Sequence, residues 1–207
     1  MTGHIKAWKS EYKSWKGGRY SLGLLDSFDK RGRLLDAGCG SGKHAIPLGM
    51  RGFDVIGLDV SLNALKIASE RAANRKLKIE FMAGNVYHLP FSDCSFDFIW
   101  CYGVLQHLLL EERALAISEF RRILNDGGIL FIEVLGQEDM RYGGDEVEPD
   151  TFVRKNGIIY HYFNKSELEN LLKSNNFSCD ITESRNEKRF YGKSYMRHMI
   201  SVVSKKE

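Results

Sequence analysis

Asp36 and Asp59 each end a short apolar run, "LLD" and "VIGLD", and Gly38, Gly40 and Gly42 stand at alternate positions just after the first. Three glycines within five residues cost chain entropy, so they call for a tight turn, a positive φ or a ligand pressed against backbone. A carboxylate at a strand end accepts hydrogen bonds from both hydroxyls of a ribose.

Three ligand classes compete for the glycine loop. A nucleoside-triphosphate loop needs glycine, four residues, Gly-Lys and then Ser or Thr for magnesium. "GSGK" matches its end, but Ala37 holds the first glycine position and His44 the metal-binding one. A dinucleotide fingerprint, GxGxxG, places its third glycine for close helix packing. Here Lys43 occupies that position. The remaining pattern is DxGxGxG with a second acidic strand end, Asp59, which suits an adenosine laid across two neighbouring strand ends without a pyrophosphate.

These residues need a scaffold of alternating strands and helices. "RLLDAG" reads as a buried strand ending at Asp36, followed by a helix from Gly42 to about Met50, with Pro47 tolerable only in its first turns. "FDVIGLD" is a second strand. "SLNALKIASERAANR" carries an apolar stripe of helical period, with Ser61 as N-cap. "LKIEFMAG" and "SFDFIWCYG" are further strands, a helix spans about Glu111 to Leu124, and "GGILFIEV" follows the turn "NDGG". This rhythm predicts an α/β fold: a Rossmann-like, doubly wound, mostly parallel sheet covered by helices on both faces, with ligands at the strand carboxyl ends. The last third departs from it. A polar stretch over 136–150 leads into "TFVRKNGIIYHYF", a helix "KSELENLLKSN" capped by Asn164 or Ser166, and two strands near "SCDITESR" and "SYMRHMISVVSK". With no helix between them, those two form an antiparallel pair.

The 207 residues, 43% hydrophobic and 28% charged, suit one soluble domain, 1–207. We expect an N-terminal helical cap over 1–30 and a substrate or lid insertion over 136–163. No apolar run reaches bilayer length and the N-terminus lacks a signal peptide's apolar centre, so the expected location is cytoplasmic. Cysteines 39, 94, 101 and 179 form no CxxC, predicting neither a disulfide framework nor a metal site. A formal charge of +3 does not demand a polyanionic partner. Basic residues nonetheless gather at both ends, which keeps a nucleic-acid surface open as an alternative.

With these features in place, the chain resembles the class I S-adenosylmethionine-dependent methyltransferases, in the group of small type 11/25-like domains acting on varied acceptors. "LLDAGCGSGKHAIPLGMRGFDVIGLDVS" is similar to that family's first motif and its acidic successor. "FMAGNVYHLPFSDCSFDFIWCYGVLQHL" resembles its adenine-side loop and fourth-strand motif. The likeness is close over about 30–135 and covers the rest in outline, including a seven-stranded sheet with an antiparallel last strand.

The resemblance implies S-adenosylmethionine as cofactor, S-adenosylhomocysteine as product, and the following roles. Asp36 orients the loop and, directly or through water, the methionine amino group. Ala37, Gly38 and Gly40 approach the methionine portion and ribose. Asp59 holds the ribose hydroxyls, and Val60 lies against adenine. Asn85 stands where the family commonly has an acidic residue; its carbonyl oxygen accepts from the adenine amino group without a charge. The Val86 backbone reads the neighbouring ring nitrogen. Tyr102 lines the methionine and acceptor side, and His107 is a candidate for site contact or proton transfer, with a packed core histidine as the alternative.

Tyr12 and Arg19 are candidates to cap the cofactor, although Tyr12 and Trp15 also suit simple packing on the sheet. The acceptor should meet 1–20, 102–110 and 136–163. The last segment holds Arg141, Tyr142, Arg154, Tyr160, His161 and Tyr162, a set able to take an anionic or aromatic small molecule. No Asn/Asp-Pro-Pro-aromatic signature follows the fourth strand, which weighs against methylation of exocyclic base nitrogens. The expected partner is a small-molecule acceptor, with an RNA or tRNA methyltransferase or a noncatalytic binding module as alternatives. Monomer and homodimer both stay open.

Overall fold

A computed structural model describes residues 5–8 and 32–207. Of the cap expected over 1–30, all but residues 5–8, Tyr12, Trp15 and Arg19 included, lies outside the described residues. Seven strands form one sheet in the order β3-β2-β1-β4-β5-β10-β9. Its parallel part comprises β1 (Arg33–Ala37), β2 (Asp54–Asp59), β3 (Glu80–Ala83), β4 (Phe96–Tyr102) and β5 (Leu124–Leu135). The final strand, β10 (Lys193–Lys205), runs antiparallel to both β5 and β9 (Asp180–Phe190). The chain winds outward from β1 to β3 and then returns to β4 on the other side of β1. That reversal opens a crevice at the carboxyl ends of β1 and β4, the natural ligand position of such a sheet.

Neighbouring residues of β1 serve opposite faces, as a strand's period of two requires. Leu35 joins a core with Ile99, Ile117 and Phe120, whereas Leu34 joins another with Leu48, Phe98 and Trp100. Among the described residues, besides helical residues 5–8, the helices are α1 (Ala45–Met50), α2 (Leu62–Ala73), α3 (Leu110–Ile123) and α4 (Lys165–Lys173). Ser61 Oγ caps α2 by accepting from Ala64 N–H at 3.3 Å. Asn164, rather than Ser166, caps α4, its Oδ1 accepting from Glu167 N–H at 2.9 Å. Glu112 Oε2 accepts the Leu109 N–H at 2.9 Å, so α3 begins one residue before the expected Glu111.

Several expected boundaries move for identifiable reasons. The helix expected from Gly42 begins only at Ala45, because Gly42 sits at φ +77° and extends the loop by a turn. Pro47 then falls in the first turn of α1, where its missing N–H is harmless. The third strand starts at Glu80, not Leu77, after a turn through Lys76 at φ +56°. "NDGG" lies inside β5 as a bulge instead of a turn ahead of it: pairing with β4 jumps from Leu124 to Ile129 while β4 advances only from Phe96 to Phe98. The polar stretch expected over 136–150 contains a strand, β6 (Asp145–Glu148). It forms a small antiparallel sheet with β7 (Thr151–Val153) and β8 (Ile159–His161). The terminal pair is longer than expected, closing through Tyr191 and Gly192 at φ +51° and +75°. Among the described residues no helix is long and apolar enough to cross a membrane.

Candidate functional site

The sheet crevice holds a cavity of about 330 Å³, within the range of small-molecule sites. At its β2 end lies Asp59, whose two carboxylate oxygens are fixed by backbone. Oδ2 accepts from Gly40 N–H at 2.8 Å and Oδ1 from Ser61 N–H at 2.8 Å. The first bond reaches across from the loop after β1, so the acidic strand end and the glycine turn form one rigid unit. Gly38 N and Cys39 N both donate to Leu58 O, at 2.7 and 2.9 Å, and stitch the loop to β2 a second time.

The loop glycines answer to specific demands. Gly38 has φ +79°, and a Cβ there would collide with Val104. Gly57, in β2, leaves room for Phe81, whose ring a Cβ would meet at 2.6 Å. The backbone of the turn is thereby bared to the cavity, which Gly38, Gly40, Asp59, Val60, Asn85 and Val86 all line. Asn85 is held by a tight turn in which its carbonyl accepts from His88 N–H at 3.0 Å.

Asp36 and Ala37 are placed differently. Both are buried behind the loop and neither lines the cavity. Asp36 accepts a hydrogen bond from Ala45 N–H, while its Oδ2 has no hydrogen-bond partner among the described residues. Burial pushes this carboxyl up to about 8, against the lowering effect of the Ala45 bond and with help from the nearby Asp59 charge. Asp36 therefore ties the start of α1 to the end of β1 rather than forming the cavity wall.

The other end of the cavity is built by Tyr102, the turn Leu105–His107, the segment after β5, and β10. The Tyr102 hydroxyl donates to Glu133, which also accepts from Ser201 Oγ at 3.1 Å. Burial raises both the phenol and the Glu133 carboxyl, and their mutual hydrogen bond raises the first while lowering the second. His107 lines the cavity with both ring nitrogens engaged. Nδ1 lies 2.8 Å from Ile159 O and Nε2 lies 3.2 Å from Gln106 Nε2. The carbonyl requires Nδ1 to carry the proton, which leaves Nε2 to accept from the Gln106 amide. Gln106 is oriented for this by its Oε1, which accepts from Leu135 N–H at 3.1 Å. The imidazole is also wedged between Trp8 and Tyr160, each edge-on with ring centroids 4.6 Å away.

Of the aromatic and basic residues expected to meet an acceptor, Arg141 and Tyr160 line the cavity. Tyr162 shares Tyr160's face but is fully buried, donating its hydroxyl to Arg141 O at 2.6 Å. His161 points the other way and is equally buried, bonded to Thr151 Oγ1 at 2.8 Å and Glu167 Oε1 at 2.9 Å. Arg154 donates to the carbonyls of Gly143 and Arg141 and braces this segment from behind. Four polar lining residues were not singled out as site residues from the sequence: Lys43, His44, Gln106 and Arg197. Lys43 registered only as the residue that breaks the dinucleotide pattern. Burial pulls its ammonium down to about 8 and the His44 imidazole down to about 3, the latter helped by Lys43.

Comparison with known proteins agrees with this geometry. A family described as "Methyltransferase domain" matches residues 35–132. A crystal structure of a SAM-dependent methyltransferase from Methanosarcina mazei superposes with a TM-score of 0.76 at 26% identity, covering 90% of this chain and 98% of that one. The chain carries a class I S-adenosylmethionine-dependent methyltransferase domain. An uncharacterized protein of Methanocaldococcus jannaschii is 35% identical over 56% of this chain and 48% of its own length. A ubiquinone biosynthesis O-methyltransferase of Pelagibacter ubique is 29% identical over 74% of this chain and 65% of its own. The chain spans about half the length of the first curated relatives it matches. The methyltransferase domain's cofactor fits the residues present: a pinned carboxylate for a diol, bare glycine backbone beside it, and Asn85 and Val86 for a base edge.

Asp36 gives this domain a pH signature. Its carboxyl ionises near 8 when folded and near about 3.9 when unfolded, so the native state binds more protons between those values. The Asp36 contribution to stability is thus full at low pH and lost as pH rises through 8. Relative to wild type, Asp36→Asn should gain stability steadily between pH 4 and 8 and level off above, as read by urea unfolding of the ligand-free protein. A pH-independent difference would contradict this.

Proposed function

We propose that this protein transfers a methyl group from S-adenosylmethionine to a nucleophile of a small-molecule acceptor. The observation that carries the reading is the single cavity that joins the Asp59–glycine unit to the Tyr102–Glu133 pair. The cofactor supplies an electrophilic methyl group on a sulfonium, so the protein's task is alignment, exclusion of water and, where needed, removal of the acceptor's proton.

Asp59 would hold the ribose hydroxyls, while Gly38 and Gly40 approach the methionine portion and Val60, Asn85 and Val86 frame the adenine. Tyr102 is the residue we assign to proton handling. Its oxygen can accept a hydrogen bond from the acceptor nucleophile while its own proton is held toward Glu133, a carboxylate whose burial raises its basicity. His107 is assigned to the wall, since both its nitrogens are occupied and its ring is packed between two aromatics. Tyr12 and Arg19 keep their proposed place as a cap on the cofactor.

A small molecule is favoured over RNA by the scale of the cavity and by the charge around it. Arg185, at the start of the basic C-terminal stretch, is already paired with Glu138 at 2.7 Å and Glu183 at 3.1 Å. The Pelagibacter relative's role in ubiquinone biosynthesis is consistent with a small acceptor. The four cysteines are free, which suits a reducing, cytoplasmic setting.

Calorimetric titration with S-adenosylhomocysteine should give micromolar binding that Asp59→Ala weakens about a hundredfold or more, since two hydrogen bonds to a charge are lost. Asp59→Asn, which keeps one acceptor oxygen, should fall between. No binding by the folded wild-type protein would remove the methyltransferase reading. Tyr102→Phe should leave that binding intact and, once an acceptor is found, lower kcat about tenfold to a hundredfold. Unchanged turnover would return proton handling to solvent or to another group, and absence of turnover with any acceptor would favour a noncatalytic binding module.

A further inference from the structure

We infer that the acceptor carries an acidic oxygen group, a carboxylate or a similar oxyanion, and that Arg141 and Arg197 hold it. This inference rests on the methyltransferase reading and specifies which acceptors the cavity takes.

The two arginines come from distant parts of the chain. Arg197 belongs to β10, and Arg141 to the segment that follows β5. That segment is laced to β10 by Gly136 N–H donating to His198 O at 2.9 Å and by Met140 N–H donating to Met196 O at 2.7 Å. Both side chains therefore line the same end of the cavity. Between them lies one carboxylate, Asp139, whose side chain is inaccessible to solvent. Arg141 Nε meets Asp139 Oδ1 at 3.3 Å and Arg197 Nε meets Asp139 Oδ2 at 3.2 Å.

Two guanidiniums against one carboxylate leave an excess positive charge. Arg141 spends its Nε in a hydrogen bond to Asp139 Oδ1, while Arg197 is ion-paired with Oδ2 without a hydrogen bond to it, so among the described residues the terminal nitrogens of both point to a further acceptor. Among the described residues, the Arg197 terminal nitrogens make one hydrogen bond, from NH2 to the weak acceptor Met199 Sδ at 3.7 Å. Burial and the neighbouring Arg141 charge pull the Arg197 pKa down, against the raising effect of Asp139, Tyr102 and Tyr162. Guanidinium forks match a carboxylate bidentately, which makes such a pair specific as well as strong.

The rest of the cavity sharpens the choice. Among the described residues Asp59 is the one acidic residue in its lining, and it belongs to β2, four strand positions from β10. The guanidiniums of Arg141 and Arg154 both lie over the Tyr160 ring, 5.6 and 5.5 Å from its centroid, which fixes the Arg141 cation, and Trp8, Tyr102 and Tyr160 give the cavity an aromatic lining. An acid attached to a flat ring satisfies both surfaces at once.

The test uses the full chain saturated with S-adenosylhomocysteine and size-matched probes: benzoate against benzamide, 2-naphthoate against 2-naphthamide, and 4-hydroxybenzoate against 4-hydroxybenzamide. Binding is read by calorimetry and by saturation-transfer NMR. The acids should bind about tenfold or more tightly than their amides. Arg141→Gln and Arg197→Gln should each remove that preference while S-adenosylhomocysteine affinity stays within about threefold. Arg197→Lys, which keeps the charge without the fork, should retain part of it. Equal affinity for acids and amides, or no binding of any pair, would overturn the inference. Loss of S-adenosylhomocysteine affinity in the arginine variants would also overturn it, by assigning these cations to the cofactor's own carboxylate. Failure of the wild-type protein to bind S-adenosylhomocysteine would instead remove the methyltransferase reading beneath it.

Discussion

Both oxygens of the Asp59 carboxylate are spoken for by backbone N–H groups, one from its own strand's exit and one from the glycine turn after the neighbouring strand. That double tether sets the distance between β1's loop and β2's end, and everything proposed for the cofactor depends on it. A carboxylate so held cannot swing away, so its remaining lone pairs face the cavity in one orientation before any ligand arrives. Binding then needs little side-chain ordering, which is the usual route by which preorganised polar groups improve affinity.

The sheet's reversal between β1 and β4 makes this arrangement possible. Strand ends that diverge at the crevice leave space for a ligand, and the parallel register places Asp36, Asp59 and Tyr102 at the same edge of three different strands. Asp36 is the least exposed of these and acts behind the wall. The acceptor half is assembled otherwise: a small antiparallel sheet, the segment before it and β10 close over the far strands and bring Tyr160, Arg141 and Arg197 to one place. A common strand framework thus carries the donor site, and material added late in the chain shapes the part that meets the acceptor.

The two halves were unequally legible in the sequence. The glycine turn and both aspartates announce themselves because each demand is local: a positive φ, a strand end, a turn. The alternation of strands and helices was equally readable, including the antiparallel final pair, since no helix separates those strands. Boundaries shifted where a single backbone conformation intervened, as at Gly42 and Lys76. Arg197 carried no comparable signal. Its role depends on β10 inserting between β5 and β9 and on a register that sets it beside Arg141, a relation that spacing along the chain does not reveal. Gln106 was invisible for a similar reason, because its partners are the Leu135 backbone and the ring of His107. His107 read in sequence as either a site contact or a packed core histidine, and only the fold supplies the Ile159 carbonyl that fixes its tautomer.

Hydrogen exchange of the full protein with and without S-adenosylhomocysteine, resolved to short segments, tests the central claim most directly. The predicted result is slowed exchange at 38–44, 59–61 and 84–87, the three stretches of backbone that border the proposed donor site. Unchanged exchange in all three, or protection confined to the far strands, would contradict an adenosine site built around Asp59.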